Sequence, residues 1–390
     1  MYAVLKSARK VITRSVLALP VLALVGCVTP GGNIGQSINT GRPVPVALLV
    51  PAGSGDAGHE VLAQSLENAA RLAMADLDGV TIDLRVYATA GQAETAAAVA
   101  QEAVRDGAKI ILGPVFASAA NAAGVAVSSR NVNVLAFSNN PDIAGGNVFV
   151  LGNTFENTAN RLTRYAVSQA QGQIMVIHGQ DTAESVGRDA IIASANQTGA
   201  SVVAVNSFEL NQTALINAIP DMADRARESG AQSIFFTSGT DGAIPLLTQL
   251  LTENGIKTDE FQFVGLRRWD IPSTAISLPG VQNSWFAVPD PQMAAQFEAR
   301  YQAAYGTPPH PIAGLAYDGI AAIGALVAEG QSDALTTVAL TQPTGFVGVG
   351  GIFRLLPDGT NERALAIATI QENEVIVIDP APRRFAGAGL

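Results

Sequence analysis

Val46-Ala47-Leu48-Leu49-Val50, followed by Gly53-Ser54-Gly55-Asp56-Ala57-Gly58, decides the fold. Five apolar residues with no polar break describe a strand covered on both faces, as in the parallel sheet of an α/β protein. Beyond the glycine loop, Leu62, Leu66, Ala70, Ala73 and Leu77 recur at helical spacing, with Gln64, Glu67 and Arg71 on other faces. The loop also matches G-x-G-x-x-G between a strand and a helix, the position of a dinucleotide fingerprint. That fingerprint needs an acid at the end of the second strand to meet a ribose hydroxyl. Tyr87-Ala88-Thr89 stand there instead, so the stretch reads as a glycine-rich βα turn and no nucleotide cofactor is expected.

The same alternation runs outward. Gly79 is expected to stop the first helix. Strands over 81–87, 109–112 and 132–137 and helices over 94–106 and 118–129 complete one half. A second series has helices over 154–171, 184–198, 213–228 and 241–254, with strands over 174–177, 202–205, 233–237 and 261–265. Such alternation places helices on both faces of parallel sheets. The style then changes to a strand over 285–288, helices over 291–305 and 312–329, and strands over 351–356, 364–371 and 375–378. Asp358-Gly359 and Glu372-Asn373-Glu374 separate the last three at hairpin spacing. The expected fold class is α/β: two doubly wound parallel-sheet lobes joined by crossovers, with a ligand cleft between them.

The amino end has its own pattern. Lys6, Arg9, Lys10 and Arg14 precede an apolar stretch over 16–25 that closes on Leu24-Val25-Gly26-Cys27. A charged region, a short apolar run and small residues form a secretory signal, too short for a comfortable membrane span. The last four residues resemble the lipobox of bacterial lipoproteins, which implies cleavage before Cys27 and acylation of its thiol and new amino terminus. The expected layout is a signal peptide over 1–26 and a flexible tether over 27–43, rich in Gly, Pro, Ser, Thr and Asn. Val28 is not aspartate, which in diderm relatives favours passage to the outer membrane. Cys27 is the only cysteine, so an internal disulfide is excluded. With 390 residues, 14% charged and 48% hydrophobic, the chain is globular, and after the leader it suits two domains. Its net charge of -10 becomes more negative once the basic leader is lost, which disfavours nucleic acid and anionic membrane surfaces as partners.

Catalytic and metal chemistry find no pattern to rest on. His59, His178 and His310 are the only histidines, none with a ligating neighbour at metal spacing. A nucleophile elbow and a P-loop lysine motif are both missing from the sequence, so neither an enzyme nor a metal or other cofactor is expected. Ligand-binding candidates come from two strand ends. Gly113-Pro114-Val115-Phe116-Ala117-Ser118 leaves a strand and starts a helix, where Ser118 reads as an N-cap beside free N–H groups that favour an anion. Phe137-Ser138-Asn139-Asn140-Pro141 leaves the next strand, and together the two ends make a ledge for a carboxylate.

At these residues the chain resembles the type I periplasmic solute-binding fold in its leucine/isoleucine/valine-binding branch, from residue 44 to about 379. The likeness lies in the opening strand and glycine loop, in Ile111-Leu112-Gly113-Pro114 and in the 134–141 stretch. It implies ligand contacts at Ser118, Phe137, Ser138 and Asn139. It also implies hinge crossings near Gly152-Asn153, Ser284-Trp285 and Thr344-Gly345, dividing the chain into lobe 1 (44–152 and 285–344) and lobe 2 (153–284 and 345–380). Where amino-acid binders carry Tyr-Gly, this chain has Ser185-Val186-Gly187, and where they offer an acid it has Leu266-Arg267-Arg268-Trp269-Asp270. Arg267 and Trp269 are the expected ligand contacts there, and two arginines repel an ammonium group. The implied function is a non-catalytic exported lipoprotein binding a small polar ligand, of the ABC-transporter substrate-binding type, with a transporter permease as partner. Gly265 to Asp270, Trp285-Phe286-Ala287, Ala316-Tyr317-Asp318-Gly319, Gly351-Ile352-Phe353-Arg354 and the ending Pro357-Asp358-Gly359-Thr360 to Arg363-Ala364-Leu365 look in addition like penicillin-binding protein activators. That likeness implies an alternative, regulation of a peptidoglycan synthase by protein contact.

Overall fold

The computed structural model describes residues 33–385; the leader and the expected lipidation site at Cys27 lie outside them. The first half of the chain runs β1 (Val44–Val50), α1 (Ala57–Ala75), β2 (Ile82–Ala88), α2 (Ala93–Arg105), β3 (Ile110–Leu112), α3 (Ala117–Val127), β4 (Asn133–Ala136) and β5 (Val148–Val150). The five strands are parallel, in the order β2-β1-β3-β4-β5. The unbroken apolar run of β1 has a direct cause. Val46, Leu48 and Val50 enter one core with Leu62, Leu66 and Ala70 of α1, while Ala47 and Leu49 enter another with Ala100 of α2 and Ala123 of α3. Successive side chains of a strand point to opposite faces, and here both faces are dry.

The second half repeats the plan with α4 (Phe155–Ser168), β6 (Gln173–Gly179), α5 (Thr182–Thr198), β7 (Ser201–Phe208), α6 (Gln212–Glu228), β8 (Ser233–Phe236), α7 (Ile244–Glu253), β9 (Gln262–Gly265) and β10 (Trp285–Val288). Met175 and Ile177 of β6 face α6 and α7, whereas Ile174 and Val176 face α4 and α5. The chain closes with α8 (Pro291–Tyr305), α9 (Gly314–Ala328), α10 (Thr337–Leu340), β11 (Phe346–Gly348), β12 (Gly351–Leu355), β13 (Asn361–Arg363), β14 (Ala366–Gln371) and β15 (Glu374–Asp379). The second sheet has seven strands in the order β15-β14-β10-β9-β8-β6-β7, with β14 antiparallel to both β10 and β15 and the other pairings parallel. The result is the expected pair of parallel-sheet lobes.

Several boundaries differ from the sequence reading. Trp285–Val288 was expected to open the return to lobe 1, but β10 pairs in parallel with β9 and antiparallel with β14, inside the second sheet. The return begins after it, with α8 and α9, and α9 packs on α1. Lobe 1 also extends beyond residue 344, because Phe346, Phe353 and Leu355 are buried in its core. The small sheet β11-β12-β13 therefore belongs beside lobe 1, and the final passage to lobe 2 lies between β13 and β14. The expected tether is anchored over its last part. Ile38 is buried, its N–H donates to the Ser332 carbonyl at 2.8 Å, and the Ile34 carbonyl accepts from Thr337 N–H at 2.7 Å and Asn133 Nδ2 at 2.9 Å. α1 ends at Ala75 with Asp76 as its cap, before Gly79. Among the described residues, no helix is long and apolar enough to cross a membrane.

Candidate ligand-binding cleft

A cavity of about 430 Å³ opens where the two lobes meet. Lobe 2 supplies the loops that leave β9 and β10 and the start of α4; lobe 1 supplies the start of α9 and the turn between β11 and β12. Its walls are mainly apolar, with Phe155, Leu266, Ile312, Leu315, Ile352 and Leu365. The polar groups are few, as is usual for a small-molecule site.

The loop after β9 sets the most distinctive of them. Trp269 is fully buried in the lobe 2 core, its ring centroid 5.6 Å from that of Phe236. The indole lies where Gly265 leaves room: a Cβ there would stand 2.5 Å from Trp269 Nε1. With Trp269 turned inward, Arg267 lines the cavity and Arg268 pairs with Asp270, Nε to Oδ1 at 2.9 Å. Arg267 has no such relief. Its Nε is buried without a hydrogen-bond partner, and among the described residues its guanidinium forms no ion pair.

Asp318 and Glu184 are engaged by partners of their own. Asp318 is buried on α9 and accepts from Arg363 Nη1 at 2.9 Å and from Val349 N–H at 2.7 Å. Arg363 also donates from Nε and Nη2 to the Leu151 carbonyl at 2.9 and 2.6 Å, and its guanidinium lies 4.9 Å from the Phe353 ring centroid. Asn157 of α4 and Asn361 of β13 complete this network, joined at 2.7 Å, while Asn361 holds the Val150 and Gly152 carbonyls. Glu184, in the first turn of α5, accepts from Gly179 N–H at 2.5 Å, Thr237 Oγ1 at 2.9 Å and Ser238 Oγ at 2.7 Å. On the strap before α9, burial holds the His310 imidazole below its ordinary pKa, so it is neutral near pH 7.

Two parallel-sheet lobes share a cavity at their junction. Residues 43–374 match the family model described as periplasmic binding protein. The chain belongs to the periplasmic binding protein family. Solved structures share its fold. A putative branched-chain amino acid ABC transporter protein from Rhodospirillum rubrum is 19% identical with a TM-score of 0.73, covering 86% of this chain and 100% of its own. LivJ from Streptococcus pneumoniae, in complex with isoleucine, is 16% identical with a TM-score of 0.57, covering 87% and 100%. A solute binding protein from Rhodopseudomonas palustris, in complex with 3,4-dihydroxybenzoic acid, is 17% identical with a TM-score of 0.56, covering 87% and 96%. No curated protein matches the sequence.

This periplasmic binding protein does not place all the expected site residues together. Arg267 lines the cavity. Ser118 and Asn139 are exposed at the C-terminal edge of the lobe 1 sheet, and neither lines it. Ser118 is not the helix cap: Phe116 holds that position, without a side-chain bond, and Ser118 follows inside α3. Ser138 is buried and its Oγ accepts from Asn140 N–H at 3.1 Å. Phe137 and Trp269 are corrections. Both are core side chains, Phe137 in lobe 1 and Trp269 in lobe 2, and so support strand ends instead of facing a ligand. The network of Asn157, Asp318, Asn361 and Arg363 was not read from sequence. Its one local signal was Asp318, the only charged residue in the otherwise apolar α9. A lone carboxylate on a buried helix requires a buried partner.

Proposed function

We propose that the protein is a solute receptor of the ABC-transporter substrate-binding type, closing its lobes on a small ligand and passing it to a transporter permease. The observation that supports this best is the cavity at the lobe junction, walled from both sides, so that a ligand there bridges the lobes. The same fold carries isoleucine in LivJ and an aromatic acid in the R. palustris protein. A receptor has no need of catalytic groups, and the reading assigns none. It places the chain in the periplasm, held by lipid on Cys27 and sorted to the outer membrane. Ser118, Ser138 and Asn139 are its lobe 1 contacts on closure.

Thermal unfolding against amino acids, organic acids, short peptides and wall fragments tests the reading. A ligand at about a hundred times its Kd adds roughly 2.7 kcal/mol to the native state. A clear rise in Tm with one class is expected, and Ser118→Ala with Asn139→Ala should abolish it. A response unchanged in that double variant would remove the lobe 1 assignment, and a flat panel would remove the receptor.

The second reading is a penicillin-binding protein activator that regulates peptidoglycan synthesis through protein contact. It draws on the fact that Asp318, Phe353 and Arg363, from three of the segments that carry that resemblance, are spent on one another at the lobe junction. Cross-linking in cells, followed by purification, should then recover a synthase. Its repeated absence would count against regulation.

A further inference from the structure

Resting on the receptor reading, we propose that the cavity takes an apolar or aromatic carboxylate without an ammonium group, and that Arg267 holds the carboxylate. The guanidinium of an arginine presents a rigid fork of donors that matches a carboxylate. Every other arginine at the cavity has its acid: Arg268 has Asp270, and Arg363 has Asp318. Among the described residues Arg267 alone of the three forms no ion pair, and its Nε is buried without an acceptor. A buried donor left unpaired is costly, which marks the place where a ligand acceptor belongs.

The amino group of an amino acid finds the opposite situation. Asp318 is the one carboxylate lining the cavity among the described residues, and Arg363 and Val349 occupy it. Glu184, in the first turn of α5 and outside the cavity lining, is closed off by Gly179, Thr237 and Ser238. An ammonium group bound here would lie against Leu315, Ile312 and Ile352 with no counter-charge, beside a guanidinium. The same apolar walls suit a ring or a branched chain, and the volume of about 430 Å³ is that of a small-ligand site.

Calorimetric titration of the full-length protein with matched compounds tests this. The probes are isocaproate, benzoate and hydrocinnamate, against L-leucine, L-phenylalanine, isocaproamide, benzamide and isoamylamine. At least one of the three acids should bind, and bind roughly tenfold or more tightly than its counterpart: L-leucine or isocaproamide for isocaproate, L-phenylalanine for hydrocinnamate, and benzamide for benzoate. Arg267→Met should raise the Kd of that acid by a similar factor while the unliganded Tm stays near wild type, and Arg267→Lys should fall between. The comparison of isocaproate with isocaproamide and L-leucine needs no variant, so it decides even if Arg267→Met does not fold. Binding of an amino acid, amide or amine as tight as that of the acids, or of an acid unchanged by Arg267→Met, overturns the carboxylate assignment and leaves the receptor standing. Silence from these acids with a response elsewhere in the wider ligand panel does the same. Silence from both sets removes the receptor as well.

Discussion

Trp269 shows how a single residue serves the cleft without touching it. Its indole fills the lobe 2 core under the loop that follows β9, and this turns Arg267 to the cavity and Arg268 to Asp270. Trp269→Ala should therefore cost about 3–5 kcal/mol by chemical denaturation, the usual range for emptying a large aromatic site. Ligand affinity should fall with it, because Arg267 loses its support; Trp269→Phe should recover most of both. Normal stability in Trp269→Ala would show that the indole is not the anchor. At this scale the sequence was legible where charge was at issue and not where direction was. Two arginines in a strand-end loop already implied that an ammonium group is unwelcome. Whether the neighbouring tryptophan pointed in or out depended on Gly265, four positions earlier, whose missing side chain makes the space. Phe137 was misread for the same reason: an aromatic at a strand end suits a cleft and a core equally well.

At the scale of elements, the turn between β3 and α3 carries the tightest constraint. Gly113 has φ +81°, a conformation that side chains strain, and a Cβ there would stand 2.3 Å from the Leu49 carbonyl oxygen. Gly113→Ala must push β3 away from β1 at the edge that faces the cleft. A loss of more than about 1 kcal/mol is expected by urea denaturation. A neutral substitution would mean that the strand end relaxes freely. The elements themselves were largely readable, because each inner strand is an apolar run covered on both faces and each helix is amphipathic or small-faced. What escaped were the short ones. Val148–Val150 is three residues beside Gly145 and Gly146, too brief to show a period, and its place as the outer strand of the lobe 1 sheet comes from pairing with β4. Ownership of elements was equally hidden. Trp285–Val288 read correctly as a strand, yet its lobe is fixed by its pairing between β9 and β14, the latter about eighty residues further on, and no local pattern reports which partners a strand takes.

At the scale of the whole molecule, the buried pair of Asp318 and Arg363 holds the lobe junction. Arg363 sits at the end of β13, just before the chain enters β14 of the other lobe. Its side chain reaches back to Leu151, where the first crossing starts, and to Asp318 on α9, while its N–H donates to Asn157 on α4 at 3.2 Å. One residue, through its side chain and its backbone N–H, thus ties two crossings, a lobe 1 helix and a lobe 2 helix. The pair is nearly dry, with 11% and 1% of the two side chains exposed, so solvent does little to screen its loss. Arg363→Met would leave Asp318 buried with only the Val349 N–H to meet it, and the Leu151 carbonyl would lose both guanidinium bonds. Breaking a buried pair from one side costs about 3–5 kcal/mol, chiefly through the stranded charge. Replacing both members with apolar residues removes that stranded charge, so Arg363→Met with Asp318→Leu should be more stable than Arg363→Met alone. Urea unfolding of wild type, single and double variants measures this directly. A single variant within about 1 kcal/mol of wild type, or a double variant no better than the single, would show that the pair is not what holds the junction.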